Sequence, residues 1–376
     1  MAFKITEMLG CEFPLFAFSH CRDVVVAVTR AGGFGVLGGA SYTPESLQEE
    51  LAWIDSHVDG KPYGVDLLFP ENLPPDADRS MRDIAASVSQ QHKTFARELL
   101  KSHNVDVDFD EPRTDRAGAL RTERTRPGDL LEVAFNHPIK LIVNALGIAP
   151  PDMIEAGKKA GVPVGALVGA KEHAIRQVNA GVDLIVAQGT EAGGHCGEVS
   201  TMVLVPEVVR AVNKIKPGLP VLAAGGIVTG RQMAAAMAMG AAGVWTGSVW
   251  LATTDAETTP IFREKMVAAR SRDTIRSTFR TGKPSRQLKS AWHDAWNSHN
   301  SPGYLPMPHM GVISHPAFTA IDKAAASGDP EARELVSYFV GQGVGLIDQV
   351  STAKSVVEDF RTEFAEALGE MMELAE

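Results

Sequence analysis

Short apolar runs alternate with amphipathic segments through about the first 270 residues of the chain. Eight of these runs predict β-strands, and several are apolar at every position, which is typical of parallel strands buried on both faces. The predicted strands are Phe13–Phe18, Gly35–Leu37, Tyr63–Leu68, Ile139–Asn144, Val164–Val168, Leu184–Ala187, Pro220–Ala224 and Gly243–Thr246.

The segments between the strands carry a helical periodicity. Gly161, Gly181 and Gly240 follow three of them, where a glycine is expected to end a helix. Successive strand–helix units favour an α/β fold, a (β/α)8 TIM barrel, over an open doubly wound sheet. The predicted helices are Asp23–Arg30, Pro44–His57, Pro151–Ala160, Lys171–Ala180, Val205–Lys214 and Thr229–Met239.

A long charged segment, residues 70–136, separates the third and fourth predicted strands. Its second half, His103–Gly128, has few apolar residues, so it is either a solvated excursion or a lid over the barrel mouth. We favour an insertion that packs a helix on the barrel and leaves its tip mobile. One stripe of that helix contains Ile84, Val88, Phe95 and Leu99.

After about Ala269 the pattern changes to helices and proline turns, which predicts a C-terminal helical cap. The last helix is predicted from apolar residues at four-residue spacing, Val356, Phe360, Phe364 and Leu368. The expected organisation is therefore a barrel from residues 1–69 and 137–270, an insertion at 70–136 and a cap at 271–376.

Composition narrows the class of protein. A net charge of −10 argues against nucleic acid as a partner. No apolar stretch approaches the roughly 20 residues that cross a bilayer, so no membrane association is expected. Cys11, Cys21 and Cys196 show neither disulfide nor metal spacing, which favours the cytoplasm and predicts no metal site. A homodimer is a possible assembly, and the sequence leaves it open.

The stretch from Gln188 to Glu198 reads Gln-Gly-Thr-Glu-Ala-Gly-Gly-His-Cys-Gly-Glu and follows a buried strand. Glycines there let backbone amides approach a flat or anionic ligand. His195 is the candidate acid/base residue, because an imidazole moves protons near neutral pH. Glu191 and Glu198 are candidates to orient it, although surface exposure is an equal alternative. His20, at the mouth of the first strand, is a second candidate, and Cys196 is interpreted as a packing residue.

Two further glycine clusters end the seventh and eighth strands, Gly225-Gly226 and Gly247-Ser248. Barrels often bind phosphate at these two loops, so the amides are candidates to hold a phosphate-bearing cofactor. The alternative is that the glycines only permit tight turns. Gly33–Gly38 fits the dinucleotide pattern G-x-G-x-x-G, but Gly35–Leu37 is predicted to be a strand rather than the loop that this motif requires.

These motifs resemble those of the nitronate monooxygenase (2-nitropropane dioxygenase-like) family of FMN-dependent TIM barrels. The resemblance covers most of the barrel and is carried by residues 31–38, 188–195, 224–227, 240–248 and 341–345. FMN-dependent enoyl-acyl carrier protein reductases have a similar Glu-Ala-Gly-Gly-His string. The resemblance implies that FMN is bound by Ala17, Phe18, Ser19, Asp66, Gln188, Gly193, Gly194, Gly225, Gly226, Thr246, Gly247 and Ser248, and that His195 is catalytic.

The activity that this family implies is oxidation of small alkyl nitronates with O2 to a carbonyl compound and nitrite. The alternative is an NAD(P)H-dependent flavin reductase of enoyl thioesters or quinones, with the insertion arginines at 113, 116, 121, 124 and 126 binding carrier or nucleotide phosphates. Asp66 departs from the asparagine that is common in the family. An anionic carboxylate beside the ring would disfavour reduced, anionic flavin unless it is protonated or paired.

Overall fold

A computed structural model describes residues 4–69, 81–109 and 127–375. In chain order the strands are β1 (Leu15–Ser19), β2 (Phe34–Gly38), β3 (Gly64–Leu67), β4 (Leu141–Asn144), β5 (Val164–Val168), β6 (Leu184–Gln188), β7 (Gly194–His195), β8 (Val221–Ala224), β9 (Gly243–Thr246), β10 (Thr274–Ser277) and β11 (Ser285–Leu288).

The helices are α1 (Lys4–Leu9), α2 (Arg22–Arg30), α3 (Pro44–His57), α4 (Met81–Ser87), α5 (Gln90–Lys101), α6 (Pro127–Phe135), α7 (Pro151–Ala160), α8 (Lys171–Ala180), α9 (Thr201–Ile215), α10 (Gly230–Ala238), α11 (Ser248–Leu251), α12 (Pro260–Val267), α13 (Ala291–Trp296), α14 (His309–Ala326), α15 (Pro330–Leu335) and α16 (Ala353–Glu373). No helix of the described ranges combines the length and apolar character that crossing a membrane requires.

Eight of the strands close into a parallel barrel in the order β1-β2-β3-β4-β5-β6-β8-β9, which confirms the predicted TIM barrel. Each predicted strand corresponds to a barrel strand, with ends that shift by at most two residues. Side chains alternate between an apolar barrel interior and a layer beneath the helices. Helix α1 packs Ile5 and Leu9 against that interior, at the end away from the carboxyl ends of the strands.

The helices after β3 pack in two different places, α6 on the barrel and α4 with α5 on the C-terminal region. Helix α6 packs on α3, β3 and α7, so it is the barrel helix between β3 and β4 rather than part of an insertion. Helices α4 and α5 contact α14 of the C-terminal region, and Phe95 lies 4.8 Å from Trp296 between ring centroids. The predicted single helix is thus two helices, broken where Ser89 caps α5. The tip that was expected to be mobile lies largely at 110–126, outside the described residues. The five arginines lie wholly within that range.

The C-terminal region contains a β-hairpin that the sequence pattern did not predict. Strands β10 and β11 pair with each other, and β11 pairs with β7 in an antiparallel sheet. The predicted last helix is present as α16, and it packs against α10 and α2 on the outside of the barrel. The region after Ala269 therefore covers the barrel mouth with one part and its flank with another.

Candidate active site

A cavity of about 850 Å³ lies at the carboxyl ends of the barrel strands, the end at which barrel enzymes carry their active sites. The predicted site residues that line it are Phe18, Ser19, Asp66, Gln188, Gly193, Gly194, His195, Gly225, Gly226, Thr246, Gly247 and Ser248. Ala17 does not line it. Its side chain is buried in the layer under the helices, because Phe18 occupies the inward position of the alternating strand.

The His195 side chain is held by the C-terminal hairpin. Strand β7 places His195 opposite Ser285, and the His195 Nδ1 atom lies 3.2 Å from the carbonyl oxygen of Pro284. A carbonyl oxygen only accepts hydrogen bonds, so Nδ1 of the neutral ring carries the proton and Nε2 keeps a lone pair. Sequence reasoning missed Pro284, which lies 89 residues further along the chain.

The electrostatic surroundings favour a neutral imidazole. Burial lowers the pKa of His195, the hydrogen bond to Pro284 opposes that shift, and the positive charge of Lys283 lowers the pKa further. A histidine whose pKa lies below the usual value is unprotonated at neutral pH. His195 can therefore accept a proton at Nε2 without first losing one.

Neither candidate carboxylate orients His195. The Glu191 carboxylate accepts hydrogen bonds from the backbone N–H of Thr201 at 2.9 Å and from its hydroxyl at 2.8 Å. It thereby caps α9, which begins four residues before the predicted Val205. Glu198 pairs with Arg276 at 3.4 Å on the surface. His20 does line the cavity, and its Nδ1 lies 3.0 Å from the Gly38 carbonyl oxygen.

The loops after β8 and β9, which were predicted to hold a phosphate, line the cavity with glycine backbone. Gly225 and Gly226 have φ values of +112° and +71°, a region that favours glycine. The Gly226 carbonyl oxygen accepts a hydrogen bond from the Gln232 side-chain amide at 2.9 Å, and the Thr201 hydroxyl oxygen lies 3.0 Å from the Gly225 carbonyl oxygen. After β9 the short helix α11 begins next to Gly247, and the first amides of a helix have no acceptor within it.

A segment of the C-terminal region packs against these loops without intervening side chains. A Cβ at Gly193 would lie 2.8 Å from the Gly341 nitrogen and 2.8 Å from the Val340 carbonyl carbon. The Gly341 N–H donates to the Ser248 hydroxyl at 2.8 Å. This contact by itself requires glycine at 193. Gly194 has open space at its Cβ position and a φ of +75°.

The inner end of the cavity is aromatic and uncharged. Phe18 and Trp245 stack with ring centroids 6.1 Å apart. Asp66 is buried, and its Oδ2 atom has no hydrogen-bond partner among the described residues. Burial raises the pKa of Asp66 well above its usual range, so the carboxyl group is neutral. This aromatic floor, polar inner edge and glycine cradle together match a flat heteroaromatic ring that carries a phosphate.

Three cationic side chains that sequence reasoning did not single out also line the cavity, Arg176 of α8, Arg276 and Lys283. Lys283 lies in the hairpin turn next to Pro284, and Arg276 lies on β10. Strands β10 and β11 read Thr-Ile-Arg-Ser and Ser-Arg-Gln-Leu, which lack an apolar alternation. The one available signal was the Gly282-Lys283-Pro284 turn.

The fold and the site define an α/β-barrel enzyme with a histidine over its mouth. The model of the nitronate monooxygenase family matches residues 8–363, so the chain belongs to that family. It is accordingly an enzyme, an oxidoreductase of the monooxygenase type.

Individual relatives agree with this assignment. The chain is 49% identical to a Mycobacterium tuberculosis protein that carries the provisional name monooxygenase Rv1533, over 100% of both chains. It is 26% identical to a probable nitronate monooxygenase of Staphylococcus saprophyticus, over 93% of this chain and 94% of the relative.

Solved structures share the fold over the whole length. FabK from Thermotoga maritima matches with a TM-score of 0.72 and 27% identity, over 100% of this chain and 99% of that one. A nitroalkane oxidase from Streptomyces ansochromogenes matches with a TM-score of 0.76 and 23% identity, over 98% and 99%. At that identity the second likeness supports the fold alone.

Proposed function

We propose that the protein is an FMN-dependent oxidoreductase that oxidises alkyl nitronates with O2 to a carbonyl compound and nitrite. The observation that carries this proposal is the neutral His195, whose Nε2 lone pair is available in a cavity that also holds a phosphate cradle. Family membership supports the same reaction class.

The chain's own residues fit FMN. The amides of Gly225, Gly226, Gly247 and Ser248 would hold the phosphate, and Phe18 with Trp245 would support the ring. Gln188 and Asp66 would meet its polar edge. When bound, FMN supplies the electron acceptor for the nitronate and the reductant for O2.

His195 would act on the substrate carbon. With Nδ1 fixed by Pro284, Nε2 takes the acidic proton of a neutral nitroalkane and converts it to the nitronate anion. The resulting imidazolium returns its proton to solvent, because its pKa lies below the usual value. Lys283, adjacent to Pro284 and lining the same cavity, attracts the anionic substrate toward His195.

A second candidate is an NAD(P)H-dependent flavin reductase of enoyl thioesters or quinones. The observation that favours it is the pair of cations Arg276 and Lys283 in the cavity wall, because guanidinium and ammonium groups bind the phosphates of a nucleotide or a thioester carrier. His195 would then protonate the product carbon.

An anaerobic titration of the FMN-loaded protein separates the two functions. Propionate 3-nitronate, NADH and NADPH are added separately while the flavin absorbance is recorded. We expect the nitronate to bleach the flavin absorbance in the absence of any pyridine nucleotide. Rapid bleaching by a pyridine nucleotide with the nitronate inert would instead assign the protein to the reductases, and the His195→Gln variant tests whether a neutral nitroalkane needs the imidazole.

A further inference from the structure

Asp66 is a buried acid at the inner edge of the cavity, and no countercharge faces it. It points into the barrel from β3, between Gly38 of β2 and Val143 of β4. A Cβ at Gly38 would lie 2.7 Å from the His20 ring and 2.8 Å from the Phe18 ring, so two aromatic rings pack over the position beside Asp66. The residue is 3% exposed.

Two other polar side chains at this end of the barrel, Asn144 and Glu191, have hydrogen-bond partners within the protein. Asn144, on the neighbouring strand, accepts a hydrogen bond from the Phe69 N–H at 3.0 Å and donates to the Gly147 carbonyl at 3.2 Å. Glu191 accepts from both the N–H and the hydroxyl of Thr201. The Asp66 Oδ2 atom has no such partner among the described residues. Buried polar atoms of native proteins rarely lack one, so a bound ligand is the expected partner.

The charged groups around β3 do not compensate a negative charge on Asp66. Helix α6 packs on the outer face of β3, and its Asp129 and Glu132 are exposed to solvent. On the cavity side His20 and His195 have their Nδ1 atoms engaged by Gly38 and Pro284. Arg176, Arg276 and Lys283 also line the cavity, but burial is the one cause that shifts the pKa of Asp66. Burying an unpaired carboxylate is unfavourable, so burial raises the pKa of Asp66 and favours its protonated form.

We propose that Asp66 binds the flavin as a neutral acid, donating its carboxyl proton to an acceptor atom on the polar edge of the ring, so that FMN binding is linked to pH. This inference rests on the proposed binding of FMN. An asparagine at this position would donate at every pH, whereas aspartate donates only while it is protonated. The affinity for FMN therefore falls as the pH rises through the pKa of Asp66.

The test is FMN binding to the apoprotein, followed by quenching of flavin fluorescence between about pH 6 and pH 9. For the wild type we expect the Kd to rise with pH, with a slope that approaches tenfold per pH unit above the pKa. For Asp66→Asn we expect a Kd close to the wild-type value at low pH and a much flatter profile. A parallel titration uses riboflavin, which has no phosphate. Its pH profile therefore contains no contribution from ionisation of the FMN phosphate.

The outcomes separate the two proposals. Parallel pH profiles for the wild type and Asp66→Asn would overturn the role of Asp66 while leaving FMN binding intact. Failure of the wild type to bind FMN at any pH would overturn the proposed function itself. Should Asp66→Asn fail to fold, infrared difference spectra of the wild type decide: binding of FMN is expected to shift a protonated carboxyl band, and the absence of that band would overturn the inference.

Discussion

At the end of the barrel near α1, Ile5 and Leu9 pack against an interior of apolar side chains. At the carboxyl end, the same strands present Asp66 and Gln188 around a cavity, and glycine loops replace packed side chains. At the first end, buried apolar side chains stabilise the fold. At the second end, apolar packing is replaced by a cavity that can hold a ligand. Substitutions at the two ends should therefore separate stability from activity.

The largest effect is expected at the carboxyl end. His195→Gln should lower kcat/KM for a neutral nitroalkane by about 10²- to 10⁴-fold, because the base at the substrate carbon is lost. The free energy of unfolding should change by less than about 0.5 kcal/mol, since the ring packs little. Steady-state kinetics and urea denaturation measure the two. His20→Gln is the matched control, and a larger loss there would reassign the acid/base role.

The opposite result is expected near α1. Leu9→Ala should lower the free energy of unfolding by about 2–5 kcal/mol, because it leaves a cavity in the barrel interior. The Kd for FMN should not change. Met8→Ala on the same helix is the control, since Met8 is 39% exposed and Leu9 is 2% exposed. Equal destabilisation by both would mean that α1 does not close the barrel.

Gly193→Ala tests the contact between the histidine loop and the Val340–Gly341 backbone. The added Cβ meets main-chain atoms that cannot rotate away, so we expect the loop to shift and FMN binding to weaken by about 1–3 kcal/mol. Gly369→Ala is the control, because Gly369 lies on α16 outside the cavity and no atom lies within 4 Å of its Cβ position. Isothermal titration with FMN compares the two. Similar losses would contradict the steric explanation.

The smallest effect concerns pH. Because the pKa of His195 is lowered and its base form is the active one, kcat/KM should rise with pH with a midpoint below the usual histidine value of about 6.5. Lys283→Ala removes a positive charge that disfavours imidazolium, so the rising limb should move to higher pH. Lys289→Ala, which removes a lysine paired with Asp294, should leave the profile in place. An unmoved limb in Lys283→Ala would contradict this assignment.

The barrel could be predicted because its signals are local. Strands such as Val164–Val168 are buried on both faces and bounded by glycine-ended helices, so a short window contains the evidence. The side-chain direction at Ala17 was not specified by the run Phe13–Phe18, and only the barrel's inner and outer layers assign it. Helix α6 was assigned to the insertion because charged sequence surrounds it.

The site was predicted less completely, since its decisive contacts join distant segments. His195 could be chosen from its own loop, but its partner Pro284 and the Lys283 beside it come from a hairpin whose strands are polar. Strand β11 of that hairpin also pairs with β7 from the histidine loop. No local sequence pattern predicts a pairing between segments so far apart in the chain. Gly193 was predicted to bind the cofactor, which stays a prediction, and its contact with the Val340–Gly341 backbone could not be foreseen from the sequence.

The late position of that contact has a consequence for biosynthesis. Ribosomes deliver the chain from its amino end, and the wall formed by Val340 and Gly341 emerges long after β9 has been made. A nascent barrel therefore exposes an incomplete pocket until nearly the whole chain has left the exit tunnel. On the proposed function, we expect FMN to be loaded late in maturation and chains that end before Val340 to bind it poorly.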